Sequence, residues 1–299
     1  MTGNVNGMVF RQGVHDILVD GVSLFEFRNI FPKERPYVAP PKIKTNMLEV
    51  SGAHSKINLS TILTGYPLYD RRTGSWEFGI MSERPINGVI NTKSTSLDAN
   101  HVWLDRYNTL MGQFSRNYGE SEIILCDSIF LDENGKGDLD KMFFYKGALS
   151  VEQFSNGEKY STITINYDLE PFRYSYQTVA EINPDKFKTF EINSTELTEI
   201  LTVDIADMRM YGNYFVPQIG TLNPPTLAIS EPTYPTISVW TTDTNGIEIG
   251  FVNNELNMNR SEIFSEGVHD ACRFTITPGC KFYAKGNGAV KIDWRNRAL

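Results

Sequence analysis

The side chains best suited to chemistry are scattered along this chain. Its four histidines are His15, His54, His101 and His269, and its three cysteines are Cys126, Cys272 and Cys280. Metal binding and nucleophilic catalysis need such groups at short spacings, so that ligands, or a base and its nucleophile, converge on one point. No HExxH, HxH or CxxC pair occurs. Gly-x-Ser-x-Gly, Walker-A and Gly-x-Gly-x-x-Gly patterns are also absent, so acyl-enzyme and nucleotide chemistry have no anchor. The stretch Asp132-Glu133-Asn134-Gly135-Lys136-Gly137-Asp138-Leu139-Asp140 has the acidity of a calcium loop. However, Lys136 stands where a ligand is required and Phe143 where a bidentate Glu would close the site, so it reads as a polar loop. Carboxylate pairs for glycoside hydrolysis can be drawn almost at will from 36 acidic residues, and such a pairing carries no information. No metal, no cofactor and no catalytic residue is expected, and the chain does not read as an enzyme.

Two stretches could bind rather than react. Between Phe31 and Val50 stand Pro32, Pro36, Tyr37, Pro40 and Pro41. Each proline forces extended geometry on the residue before it, which predicts an arm. Phe31, Pro36, Tyr37, Pro40 and Pro41 are its candidate subunit-interface residues; the plainer reading is a surface connection. The second stretch, 217–236, holds Pro217, Pro224, Pro225, Pro232 and Pro235, with Tyr234 inside it and Trp240 just beyond. Proline lowers the entropy lost on docking and aromatic side chains supply anchoring area, so Tyr234 and Trp240 are candidates for contact with a partner protein. Taken alone, Trp240 reads as a sandwich-core residue.

The elements that must position these groups are mostly strands. At 299 residues the chain can form two domains of ordinary size. Its length suffices for a core without disulfides, and three cysteines without paired spacing are expected to stay reduced. No apolar run approaches the ~18 residues of a membrane helix, so membrane insertion is not expected. Met1–Phe10 lacks the basic and apolar regions of a secretory signal, which predicts synthesis in the cytoplasm. Lys and Arg number 28 against 36 Asp and Glu, a net charge of −8, which favours repulsion of nucleic acid over gripping its phosphates.

Asp16–Phe25 reads as a hairpin turning at Asp20-Gly21, and Asn100–Phe114 as the best helix. Asn100 is its expected cap, and Trp103, Tyr107, Leu110, Met111 and Phe114 form its apolar stripe. Leu149–Phe154 and Tyr160–Tyr167 read as a hairpin through Asn156-Gly157, with Ile163, Ile165 and Tyr167 inward and an end at Pro171. Residues 181–212 stay open between helix and strand. Strands are expected at 237–240, 247–251, 273–277, 281–284 and 289–295, with turns at Pro278-Gly279 and Gly286-Asn287-Gly288. No repeat period indicates a solenoid.

The order of these features resembles the distal tail protein (Dit) family of long, non-contractile-tailed bacteriophages. The resemblance rests on Ile17-Leu18-Val19-Asp20-Gly21; on Val50–Ser60 with Gly52; and on Tyr69-Asp70-Arg71-Arg72 leading to Trp76-Glu77-Phe78. It continues with the Trp103 helix, Phe143–Leu149 with Gly147, and Pro171-Phe172-Arg173-Tyr174. Beyond residue 174 it thins to Pro278-Gly279 and Gly286–Arg295, similar to the last strands of a galectin-like domain. The histidine–asparagine–arginine set with which galectins hold galactose is missing.

The resemblance implies a mainly β protein. Residues 1–174 would be a ring-forming N-terminal β-sandwich-like domain with one amphipathic helix and an extended arm. Residues 175–299 would be an outer galectin-like β-sandwich with a possible inserted arm within 181–236. It further implies a structural hub at the virion tail tip: a homo-hexameric ring joining the tail tube protein to the tail-tip protein, with a platform for receptor-binding proteins and DNA only passing through the lumen. Gly52, Tyr69, Arg71, Arg72, Gly147, Pro171, Phe172 and Tyr174 would be structural landmarks of that family. The alternative from a different class is a carbohydrate-binding β-sandwich module that contributes to host-surface adhesion.

Overall fold

The computed structural model describes residues 2–5, 8–11, 15–25, 30–45, 47–48, 57–58, 67–80, 96–115, 119–125, 142–152, 162–211 and 227–299. The chain divides into two compact units, Met1–Arg173 with Leu299, and Tyr174–Ala298. Both are built on curled antiparallel sheets, and the protein is mainly β.

In the first unit β1 (Thr2–Val5) pairs with β2 (Met8–Arg11). The main sheet uses β3 (Ile17–Val19), β4 (Val22–Ser23) and β5 (Ile30–Pro32). A small pair, β6 (Met47–Leu48) and β7 (Ile57–Asn58), precedes β8 (Arg72–Ile80), helix α1 (Ser96–Phe114), β9 (Ser121–Leu125), β10 (Phe143–Val151) and β11 (Thr162–Ser175). Strand order across the main sheet is β4-β3-β9-β10-β11-β8-β5.

The turn between β3 and β4 places Asp20 and Gly21 at φ 51° and 76°, the left-handed backbone that a two-residue hairpin demands. Asp20 then serves a second purpose: one carboxylate oxygen accepts the Glu122 amide and the other the Ser121 hydroxyl, tying the turn to β9. Before the turn, the buried Asp16 carboxylate accepts the Ile17 and Phe25 amides and the Ser23 hydroxyl. On β11, Ile163, Ile165 and Tyr167 face the core as expected; they pack with Trp76, Phe78 and Leu169.

Three expectations for this unit are corrected. Helix α1 starts at Ser96, so Asn100 lies inside it rather than at its cap. Its inward residues are Leu110, Gln113 and Phe114, while Met111 is exposed. Gln113 is tolerated there because its amide donates to the buried Val19 carbonyl at 2.8 Å. Strand β11 does not stop at Pro171 but continues to Ser175. Its ladder with β8 ends at Leu169 opposite Arg72, so the missing proline N–H interrupts nothing on that side. The Asn156-Gly157 turn and the acidic stretch 132–140 lie outside the described residues, as do Gly52 and most of 50–60.

The second unit holds α2 (Val179–Ile182), β12 (Phe190–Thr202), the short pair β13 (Arg209–Tyr211) and β14 (Leu227–Ile229), then β15 (Thr236–Trp240), β16 (Ile247–Asn253), β17 (Met258–Phe264), β18 (Gly267–Asp270), β19 (Lys281–Asp293) and β20 (Arg297–Ala298). Its main sheet runs β17-β16-β19-β15-β18, and β12 pairs with β19. The open segment 181–212 is thus largely strand. Thr195–Leu201 lies within β12, whose ladder shifts register between Ser194 and Thr198 and again between Glu199 and Leu201.

Two further expectations fail here. Gly286-Asn287-Gly288 is not a turn; β19 runs through it. The glycines mark the point where β19 changes partner, from β16 over 281–285 to β15 over 289–293. A side chain at Gly288 would strike the Trp240 carbonyl, which explains why the crossing needs glycine. Arg273–Thr277 forms no strand beyond one bridge, Thr233 to Ile276. Phe274, Thr275, Ile276 and Thr277 are all buried in succession, and Asn253 donates to the Thr275 carbonyl at 2.8 Å. This segment fills the core, and a side-chain amide satisfies its backbone in place of a ladder.

Candidate interaction surfaces

Among the described residues no group of three or more His, Cys, Asp or Glu is placed to hold a metal ion. Cys280 is fully buried, and burial pushes its thiol up to about 12, where it is inert. His269 lies 2.9 Å from the Ser265 carbonyl and beside the Phe264 ring.

Most of the landmark residues converge on one place in the first unit. Arg72, at the start of β8, is only 4% exposed. Its Nε donates to the Pro171 carbonyl at 2.7 Å and one Nη to the Ala39 carbonyl at 2.9 Å. The guanidinium stands 5.5 Å from the centre of the Tyr145 ring. Burial, and after it the nearby Arg173, draw Arg72 below the usual arginine range, although the Tyr145 and Tyr37 hydroxyls oppose this.

Next to it, Arg71 grips Asp168 through a carboxylate oxygen at 2.7 Å and the backbone carbonyl at 2.8 Å. Gly147 on β10 is fixed by space: a side chain there would strike the Asp168 carbonyl and the Leu169 backbone. The Tyr69 and Phe172 rings meet edge to face at 5.8 Å. Tyr174 begins the second unit.

These residues hold the candidate arm. Phe31 lies in β5, opposite Gly79 of β8, and the Lys33 amide donates to the Glu77 carbonyl. Pro36 and Val38 are buried. The Trp76 indole donates to the Tyr37 carbonyl at 2.9 Å, and the Ala39 amide to the Tyr167 hydroxyl at 3.4 Å. Farther along, Ile43 bridges to Tyr69. The described part of the arm therefore lies along its own unit.

Its outward side chains mix apolar and charged groups: Tyr37 is 65% exposed and Ile43 56%, Met47 is exposed, and so are Lys33, Glu34, Arg35, Lys42 and Lys44. Pro40 is exposed and Pro41 half-buried. Sequence reasoning missed this division of labour between backbone and side chains. The alternation of Pro36, Val38 with Tyr37 was its one legible signal.

In the second unit, Tyr234 is half-buried beneath the Arg297 guanidinium, 5.3 Å from the ring centre. Trp240 is 48% exposed, which corrects its reading as a core residue. On β15, Ile237 and Val239 point inward, so Trp240 alternates outward. Six residues of extended chain put Tyr234 and Trp240 roughly 20 Å apart, so they do not form one patch.

No family model matches the chain, and no curated protein matches it in sequence. Among solved structures, the chain is similar to "SPP1 Dit (gp 19.1) Protein, a Paradigm of Hub Adsorption Apparatus in Gram-positive Infecting Phages", at 12% sequence identity. That match covers 96% of this chain and 100% of the other, with a TM-score of 0.49.

Proposed function

We propose that this chain is a non-catalytic hub subunit of a phage tail tip. Copies close into a homo-hexameric ring that joins the tail tube protein to the tail-tip protein, and the second unit provides attachment for receptor-binding proteins. DNA passes through the lumen without being held, in keeping with the net charge of −8.

The observation that carries this reading is the convergence of the landmarks. Residues scattered from Tyr69 to Phe172, which sequence resemblance picked out one by one, form a single clamp in the first unit. The clamp fixes the 31–44 segment through its backbone and leaves Tyr37 and Ile43 in solvent. A backbone-anchored strip that presents Tyr37 and Ile43 among charged side chains suits a contact with the next copy in a ring, where one face meets a different face of its neighbour.

Light scattering and negative-stain imaging of the purified chain at high micromolar concentration test this. A six-fold ring with an open centre is expected; a particle of monomer mass throughout the range overturns it.

A further inference from the structure

The outer face of the second unit's sheet presents one indole within a field of hydrogen-bonding groups. Trp240 on β15 stands directly opposite Ala289 on β19, and Ala289 stands opposite Glu191 on β12. Directly opposed residues of an antiparallel ladder share a face, so these three form a row across three strands. One step along the sheet, on the same face, Asn287 opposes Asn193, and both are exposed. One step the other way, Ser238 opposes Lys291.

The neighbours of the indole on its own face are small, Ala289 and Ser238, with the exposed Val268 opposite Ser238 on β18, and the indole stays half exposed. Around them lie two amides, a carboxylate and an ammonium. The Glu191 side chain makes no hydrogen bond or ion pair with the described residues, and Lys291 reaches Asp293 only at 4.0 Å.

This composition discriminates between occupants. A protein anchor is normally centred in an apolar, desolvated patch. Trp240 has one exposed apolar neighbour, Val268, and otherwise amides and charges at its flanks, and those polar groups would be stranded beneath an apolar partner. A sugar ring has the complementary character: its C–H face lies on an aromatic plate, and its rim of hydroxyls both donates and accepts. Strands ~4.8 Å apart and residues of one face ~7 Å apart along a strand give a patch of about 10 Å by 7 Å, the footprint of one or two pyranose rings.

We propose that this face binds a neutral pyranose of a surface glycan, stacked on Trp240, with Asn193, Asn287 and Glu191 bonding its hydroxyls. The site uses residues unrelated to the missing galectin set, and it does not depend on ring formation.

Saturation-transfer NMR on the full chain, with methyl pyranosides of glucose, galactose, N-acetylglucosamine and rhamnose as probes, tests the proposal. Transfer to the ring protons of at least one probe is expected at millimolar concentration. It should fall at least tenfold in Trp240→Ala and weaken severalfold in Glu191→Gln, with both variants melting as the parent does. Transfer from none of the four probes, or transfer equal in Trp240→Ala and parent, overturns it. So does a Trp240→Ala chain that loses a co-purifying receptor-binding protein and shows no change toward the sugars.

Discussion

The Arg72 guanidinium donates to the Pro171 carbonyl across 2.7 Å, and through a second nitrogen to the carbonyl of Ala39. Residues far apart in sequence are thereby held by one buried cation. Arg72→Ala leaves both carbonyls short of a donor and opens a space beside Tyr145. At about 1–3 kcal/mol for each of the two unsatisfied carbonyls, a loss of about 2–6 kcal/mol is expected. Hydrogen exchange should show the amides of 33–44 exposed before the rest of the first unit. Arg72→Lys should recover less than half of the loss, because one ammonium lacks the fork that reaches both carbonyls.

Two glycines of the first unit should respond oppositely to alanine. At Gly147 the new methyl meets the Asp168 carbonyl and the Leu169 backbone, with no flexible side chain to yield. A cost of more than about 2 kcal/mol is expected from overpacking. Gly112 sits near the end of α1 with nothing within 4 Å of an added methyl. There alanine should stabilise by up to about 1 kcal/mol through helix propensity. Thermal melting of the two variants beside the parent checks both signs.

Lys186 ties the segment after α2 to the loop after β12, with its ammonium 2.7 Å from Asp204 and 2.5 Å from the mostly buried Asp207. Partial burial alone would lower its pKa, but hydrogen bonds to the two carboxylates outweigh this and raise it. A group whose pKa is higher folded than unfolded stabilises fully below the unfolded value and loses that contribution as pH rises through the folded one. The contribution should therefore hold from neutral pH to the ordinary lysine value of about 10.4 and vanish above it. In Lys186→Met that alkaline step should be missing from a urea-denaturation series across pH.

The two described cysteines should differ sharply in reactivity. Cys272 is exposed, while Cys280 is buried with its thiol pushed up to about 12. Iodoacetamide at pH 8 followed by peptide mapping should mark Cys272 within minutes, and Cys280 only after denaturant is added. Equal labelling of both in the native protein would contradict the burial of Cys280.

If the Tyr37 and Ile43 side chains form a contact between copies, charge placed on them should prevent assembly without unfolding the subunit. Tyr37→Glu combined with Ile43→Asp should reduce the particle to monomer mass by light scattering, with an unchanged melting temperature. Both side chains are more than half exposed, so the monomer loses little packing.

The sequence by itself determined the features governed by neighbours along the chain. Asp20-Gly21 had to turn because only small or glycine residues accept positive φ, and alternation on β11 placed Ile163, Ile165 and Tyr167 in the core. The mainly β character was legible in the same way. Tertiary structure alone decided what depends on distant partners. Pro171 could remain inside a strand because β8 had already ended beside it, and Gly286-Asn287-Gly288 became a crossing rather than a turn because β19 changes neighbours there. Trp240 faces outward because Ile237 and Val239 claimed the core side of β15. The arm's backbone is held by Arg72, Trp76 and Tyr167, three residues whose convergence no local pattern encodes. Local φ/ψ preference and period-2 alternation act over a few residues, whereas burial and hydrogen-bond satisfaction are settled by whichever strand arrives alongside.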